Sequence, residues 1–300
     1  MQASKGAEMH RFCTQQQAEW DLFRIFAFQI KATMEQQTII ITGASSGFGK
    51  ATAELLSSKG HTVYGLCRRP LEHPSIKYLQ CDVRNRGNVD AVVTQIIQEA
   101  GRVDVLVNNA GMGIGGALEL ATEEEIDLQM GTNFMGCVNL CQAVLPHMRR
   151  VRRGKIINLS SVGGLMGLPY QGFYSASKFA IEGFTEALAA EVTRFGIRVC
   201  MVEPGDFATG FTGSRKNSQR TLDDEDYGSV FRRTLGLIEK EENGGLQPEG
   251  LARRIARLVE KKRPPLRNVV ANLEQWLSTV IKRVLSGNQM VAILRDYYKC

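Results

Sequence analysis

The chain has 300 residues, 43% hydrophobic and 23% charged, with a formal net charge of +6. That composition suits a globular domain able to bury a core without cross-links, and no stretch approaches the ~20 apolar residues of a membrane-spanning helix. The seven cysteines are odd in number and form no C-x-x-C pair, which argues against a zinc site or disulfide framework and for a reduced, cytoplasmic setting.

Residues 1–33 are Gln-rich and lack clear periodicity. Their longest apolar piece, 22–30, is broken by Arg24 and Gln29, and no small-residue cleavage site follows it, so it does not read as a signal peptide. Either Met34 is the natural start or the first residues form an appendage; in both cases residues 1–33 are expected to be dispensable for catalysis, and 34–300 to form one domain.

From Thr38 short apolar runs alternate with helical stretches. Strands are expected at 38–42, 62–66, 76–81, 103–107, 155–159, 198–202 and 268–271, with helices such as 49–59, 88–100 and 175–194 between them. Strands apolar on both faces, alternating with helices, predict an α/β, doubly wound (Rossmann-type) parallel sheet of about seven strands with helices on both faces. Arg149, Arg150, Arg152 and Arg153, and the basic residues between Arg253 and Arg267, read as solvated faces rather than a nucleic-acid surface. The polar, Gly-containing segment 206–245 reads as a mobile loop with short helices, expected to form the outer wall of a ligand crevice together with the C-terminal amphipathic stretch. Over 273–285 the apolar residues fall in one helical stripe, expected to pack on the core or a subunit partner; a substrate lid or a membrane-surface contact is the sharper reading.

Thr42-Gly43-Ala44-Ser45-Ser46-Gly47-Phe48-Gly49 follows the first strand and opens a helix. Gly43 permits a tight turn, Gly47 lets backbone approach a pyrophosphate, and Gly49 lets helix and strand pack closely. The free N–H groups of the helix N-terminus then favour phosphate. The second strand ends Leu66-Cys67-Arg68-Arg69, with no acid to take a ribose 2′-hydroxyl; an arginine there suits the 2′-phosphate of NADP(H) over NAD(H), the plainer alternative being a solvated loop pair. Tyr174 and Lys178, at i and i+4, share one helix face, and an ammonium beside a phenol lowers its pKa toward neutrality. Such a pair is often mere surface, but Ser160 and Ser161 end a strand 14 and 13 residues earlier, where a hydroxyl can polarise a substrate oxygen.

These motifs, with Asn108-Asn109-Ala110-Gly111, Asn133 and Pro204-Gly205, stand in the order and spacing of the short-chain dehydrogenase/reductase family, which the chain resembles over roughly residues 37–272. The resemblance implies Tyr174 as the acid/base, Lys178 as the ribose-binding residue that lowers the Tyr174 pKa, Ser161 rather than Ser160 as its partner, and Asn133 as holder of a relay water. It implies cofactor contacts from Gly43, Ser45, Ser46, Gly47, Phe48, Gly49, Asp82, Val83, Asn109, Ala110, Gly111, Pro204, Gly205, Phe207 and Thr209, with Arg68 at the phosphate and no metal. Asn108 and Asn109 also suit plain turn chemistry. The stretches 161–169 and 174–183 resemble the 17β-hydroxysteroid dehydrogenase type 1 and retinol-dehydrogenase-like subgroup, which implies a lipophilic alcohol or ketone. A homo-oligomer, dimer or tetramer, is the implied assembly. The rivals are a 3-oxoacyl-thioester reductase on the same fold and an inactive cofactor-binding regulator; the complete set Asn133, Ser161, Tyr174 and Lys178 speaks against the second.

Overall fold

Alternate residues of each central strand feed two different cores. In the computed structural model, which describes residues 35–300, Ile40, Leu106 and Ile156 face one side of a sheet with Val89, Leu140 and Leu188. Their neighbours Ile39, Ile41, Val105, Val107 and Ile157 face the other with Leu56 and Ile255. Burial on both faces is why these strands are continuous apolar runs. Each fully buried aliphatic side chain stabilises the fold by roughly 1.5–3 kcal/mol before entropy is counted.

The strands are β1 (Thr38–Thr42), β2 (Thr62–Cys67), β3 (Lys77–Gln80), β4 (Val105–Asn108), β6 (Gly154–Leu159), β7 (Ile197–Pro204) and β9 (Val269–Val270), with a small separate pair, β5 (Ile114–Gly115) and β8 (Lys216–Asn217). The seven-stranded sheet is parallel throughout, in the order β3-β2-β1-β4-β6-β7-β9. This is the expected doubly wound sheet. The chain runs outward from β1 to β3, then returns to place β4 on the other side of β1, and such a reversal opens a ligand crevice beyond the carboxyl ends of the strands. Contacts group Gln37–Cys300 into one compact unit. The expectation for residues 1–33 lies outside the described residues.

Two sequence expectations are corrected. Segment 206–245 is not mainly loop: it holds short helices at Phe211–Ser214 and Gln219–Asp223 and a 16-residue helix, Gly228–Asn243. The long helix buries Phe231, Thr234, Ile238 and Glu242. Two of those four are polar, so the apolar periodicity that marks a helix is diluted. The stripe over 273–285 is helical only to Ile281 and does not pack inward. Leu273, Trp276, Leu277, Val280, Ile281 and Val284 are all exposed, while Thr279 is the buried residue of that helix. The last helix, Gly287–Tyr298, is held by a capping box between Ser286 and Gln289 and buries Met290 and Tyr298. Among the described residues no helix is long and apolar enough to cross a membrane.

Candidate functional site

The turn after β1 is built by backbone geometry that favours glycine. Gly43 has φ +65° and Gly47 φ +52°, the left-handed region that side chains strain. Asn109 clamps this turn from β4: its Nδ2 donates to the carbonyls of Thr42 (2.8 Å) and Gly43 (3.2 Å). The Thr42 hydroxyl returns the favour by accepting from the backbone N–H groups of Asn109 and Ala110, both at 2.9 Å. Thus β1 and β4 are tied together at the mouth of the crevice. Ser46 stands at the N-cap of helix Gly47–Ser58 without a side-chain capping bond, and the helix end is left open to an anion.

A crevice of about 620 Å³ lies over the strand ends. Gly43, Ser45, Ser46, Gly47, Phe48, Arg68, Asp82, Val83, Asn109, Ala110, Gly111, Ser161, Tyr174, Lys178, Pro204, Gly205, Phe207 and Thr209 all line it. Of the expected site residues, Gly49 and Asn133 stand behind the wall. A Cβ on Gly49 would run into the Gly43 carbonyl and the Asn109 side chain, which is the close packing expected of it. Asn133 sits in a π-helical turn, Gly131–Met135. Its amide is spent on the protein: it accepts from Met112 N (2.8 Å) and donates to Met112 O (3.0 Å) and to the Ser177 hydroxyl (3.0 Å). Its side chain therefore shapes the strand-end loop that carries Gly111.

At one end of the crevice Arg68 and Arg69 are exposed, and among the described residues no carboxylate lies within ion-pair distance of either. Asp82 is already gripped by Arg84 at 2.7 Å, which holds its carboxyl below the usual range. At the other end stands Tyr174, on helix Gly172–Val192. Burial pushes its phenol up to about 12; a hydrogen bond with Ser161 works the other way, Glu242 and Asp206 raise it, and Arg215 lowers it. Lys178 is pushed down to about 8, also by burial, and donates to the Leu159 carbonyl at 2.9 Å. Burial thus opposes the charged form of each group. Ser161, not Ser160, is the serine beside the phenol; Ser160 is buried and turned toward Glu182.

The far wall was not foreseen in detail. Asp206, Phe211, Ile238, Glu241, Glu242 and Tyr298 line it, from three separate stretches of chain. Burial, with Glu242 and Glu241 close by, pushes Asp206 up to about 6. Gln275 braces it, donating to the carboxylate at 2.5 Å and accepting from the Asp206 N–H at 3.0 Å. Glu242 takes hydrogen bonds from buried Arg215 and from Thr212, and Glu241 takes one from Tyr297. Of the three carboxylates only Glu242 is ion-paired with the Arg215 guanidinium. A phenol, a hydroxyl and an ammonium at the end of such a crevice can exchange a proton with a carbonyl oxygen, while the glycine turn can hold a diphosphate. Among the described residues no group of three or more metal-ligating side chains is gathered.

Residues 37–220 match the family described as short chain dehydrogenase. The chain is 58% identical over 266 residues to the 3-ketodihydrosphingosine reductase of Bacteroides thetaiotaomicron, covering 88% of this chain and 99% of that one. It is 36% identical over 252 residues to retinol dehydrogenase 8 of Bos taurus, covering 77% and 80%. A short-chain dehydrogenase structure from Streptomyces avermitilis superposes with a TM-score of 0.75 at 32% identity, covering 88% of this chain and 97% of that chain. The crevice fits the nicotinamide dinucleotide of that family: the glycine cradle and the uncapped helix end suit its diphosphate, and Tyr174 and Lys178 stand at the opposite end.

Proposed function

Because the chain belongs to the short chain dehydrogenase family and is an oxidoreductase acting on a keto or hydroxyl group, we propose that it is an NADPH-dependent reductase of long-chain ketones bearing an adjacent amino group, the class to which 3-ketodihydrosphingosine belongs. The observation that carries this reading is the acidic far wall. Asp206, Glu241 and Glu242 line the crevice that holds Tyr174 and Ser161, where Arg215 pairs with Glu242 and Lys216 is the neighbouring cation, so acidic groups predominate. An ammonium next to the reacting ketone would be stabilised there. The phosphorylated carrier of a 3-oxoacyl thioester would be repelled by the same charges. The 58% relative named for 3-ketodihydrosphingosine supports the same choice. A steroid- or retinoid-like ketone is the second reading, favoured by the apolar lining of Leu168, Phe211 and Ile238.

Within this reading Arg68 takes the 2′-phosphate and the Gly43–Gly49 turn takes the diphosphate. Bound NADPH supplies the hydride. Tyr174 gives its proton to the ketone oxygen, Ser161 hydrogen-bonds that oxygen, and Lys178 holds the ribose and reprotonates the phenol. Asn133 fixes the loop against which the nicotinamide end lies. The deciding experiment follows NADPH and NADH oxidation with 3-ketodihydrosphingosine, a ketosteroid, retinal and a 3-oxoacyl thioester. The amino ketone with NADPH should turn over at least about tenfold better than the rest. Equal or better rates with the thioester or the steroid overturn the substrate assignment, and equal rates with NADH overturn the cofactor assignment.

A further inference from the structure

Helix Leu273–Ile281 is amphipathic in the reverse of the usual sense. A surface helix normally buries its apolar stripe and shows its polar side to water. Here the inward side is polar: Gln275 bonds both the backbone and the carboxylate of Asp206, and Thr279 is buried. The outward side carries Leu273, Trp276, Leu277, Val280 and Ile281, and Val284 continues the same i, i+3, i+4 stripe one turn on. Leu273 is 71% and Val284 82% exposed. The neighbouring helix Gly287–Tyr298 adds exposed Val291, Ile293 and Tyr297. A contiguous apolar face of this kind marks a binding surface.

Two observations say what covers it. The first is charge. Residues 272–300 hold four basic residues against two acidic ones, and Lys282 and Arg283 follow the helix directly with no ion pair among the described residues. An apolar face with a central Trp and a basic rim matches a helix lying in the headgroup region of an anionic bilayer. The second is continuity with the site. The same two helices supply Gln275, which braces Asp206, and Tyr298, which lines the crevice. The exposed face is therefore the outer side of elements whose inner side walls the substrate end of the crevice.

We propose that the outward face of Leu273–Ile281 with Val284 seats on an anionic lipid bilayer and holds the substrate mouth of the crevice at the membrane surface. A long-chain ketone then enters from the lipid phase without crossing water. This draws on the lipophilic-substrate reading above, but docking is measured without substrate or cofactor, so either idea can fail alone.

The test sediments the full chain with vesicles of phosphatidylcholine, alone or with about one third phosphatidylglycerol. Binding should be at least about tenfold stronger to the anionic vesicles. Leu277→Glu with Val284→Glu should abolish it, while the far-ultraviolet spectrum and NADPH affinity stay unchanged. Should that pair misfold, Lys282→Gln with Arg283→Gln keeps the apolar face and should lose the preference for anionic lipid. No sedimentation of the parent chain with anionic vesicles overturns the proposal, as does undiminished binding by both variants. So does sedimentation velocity showing a parent oligomer that the glutamates convert to monomer, which would make a second copy the occupant.

Discussion

Lys178 points its ammonium at the edge of catalysis without touching the phenol: Nζ lies 5.7 Å from the centre of the Tyr174 ring and bonds the Leu159 carbonyl instead. Burial disfavours the charged form of each, raising the phenol to about 12 and lowering the ammonium to about 8, which still leaves Lys178 mostly protonated at pH 7. Tyr174→Phe should keep the fold and NADPH affinity but lose ~10²–10⁴ in turnover, as expected for a missing general acid. Lys178→Met should lose turnover and cofactor affinity together, yet melt no lower than the parent at pH 7, because it removes a buried ammonium. Single-turnover rates, NADPH fluorescence titration and thermal melts separate these effects. More than about a tenth of parental turnover in Tyr174→Phe would move the proton donor elsewhere.

Ser160 and Ser161 are adjacent but face different partners. Ser161→Ala should cut kcat by about tenfold or more, since it loses a hydrogen bond to the reacting oxygen. Ser160→Ala, beside Glu182 rather than the phenol, should leave kcat within about twofold and alter stability instead. Steady-state kinetics of the pair checks this, and the reverse ranking would reassign the serine.

Arg68 is exposed at the end of β2 and engages no carboxylate among the described residues, so its guanidinium is available to a phosphate. Charge-assisted contacts of this kind contribute ~1.5–3 kcal/mol. Arg68→Ala should weaken NADPH by about tenfold or more and leave NADH nearly untouched, by titration calorimetry. An equal loss for both cofactors would point to Arg69 or to the glycine turn as the discriminating element.

Gly49 offers a reversal of sign. In an ordinary helix Gly→Ala stabilises by about 1 kcal/mol. Here the new Cβ would collide with the Gly43 carbonyl and Asn109 Nδ2, and overpacking costs typically ~1–3 kcal/mol. Gly49→Ala should lower the melting temperature and weaken NADPH binding, because the strained atoms belong to the turn that cradles the diphosphate. A rise in melting temperature would show that the turn yields.

Asp206 carries a carboxyl raised to about 6 by burial and by Glu242 and Glu241. A raised carboxyl makes the folded state bind its proton more tightly than the unfolded state does. Its stability contribution is complete below about pH 4 and is lost as pH climbs through 6. Asp206→Asn retains an acceptor for Gln275. It should be roughly 1–2 kcal/mol more stable than the parent at pH 8, with little difference near pH 4. Denaturant melts at the two pH values decide it. A variant that is weaker at pH 8 would mean that the charge is fully compensated, by Arg215 or by Gln275.

The part of the site that was legible in the sequence is the part whose chemistry demands particular residues close together along the chain. Gly43 and Gly47 take positive φ, and Tyr174 and Lys178 sit one helical turn apart, so short motifs betray them. The individual side chains of the far wall escaped for the opposite reason, although segment 206–245 was expected to supply that wall. Asp206, Glu242 and Tyr298 meet through packing of segments far apart in the chain, and the helix that carries Glu242 hides its register by burying Thr234 and Glu242. The C-terminal stripe was visible as a stripe, but its direction depends on Gln275 finding Asp206, a contact between residues 69 positions apart. How deeply Tyr174 and Lys178 are buried is likewise not written in their spacing.

The strand order has a consequence for how the protein comes into being. β1 is the first strand of the described residues, yet it lies mid-sheet and pairs on one side with β4, Ile39 opposite Val105. Its second hydrogen-bonding edge must wait for a partner about a quarter of the chain later. β7 likewise waits for β9, Glu203 opposite Val269. Pairings this remote in sequence make for slow folding and long exposure of sticky strands during synthesis. A fragment that stops before Tyr298 carries the cofactor cradle but an unfinished substrate wall, so nucleotide binding and substrate selectivity mature at different moments in the life of a nascent chain.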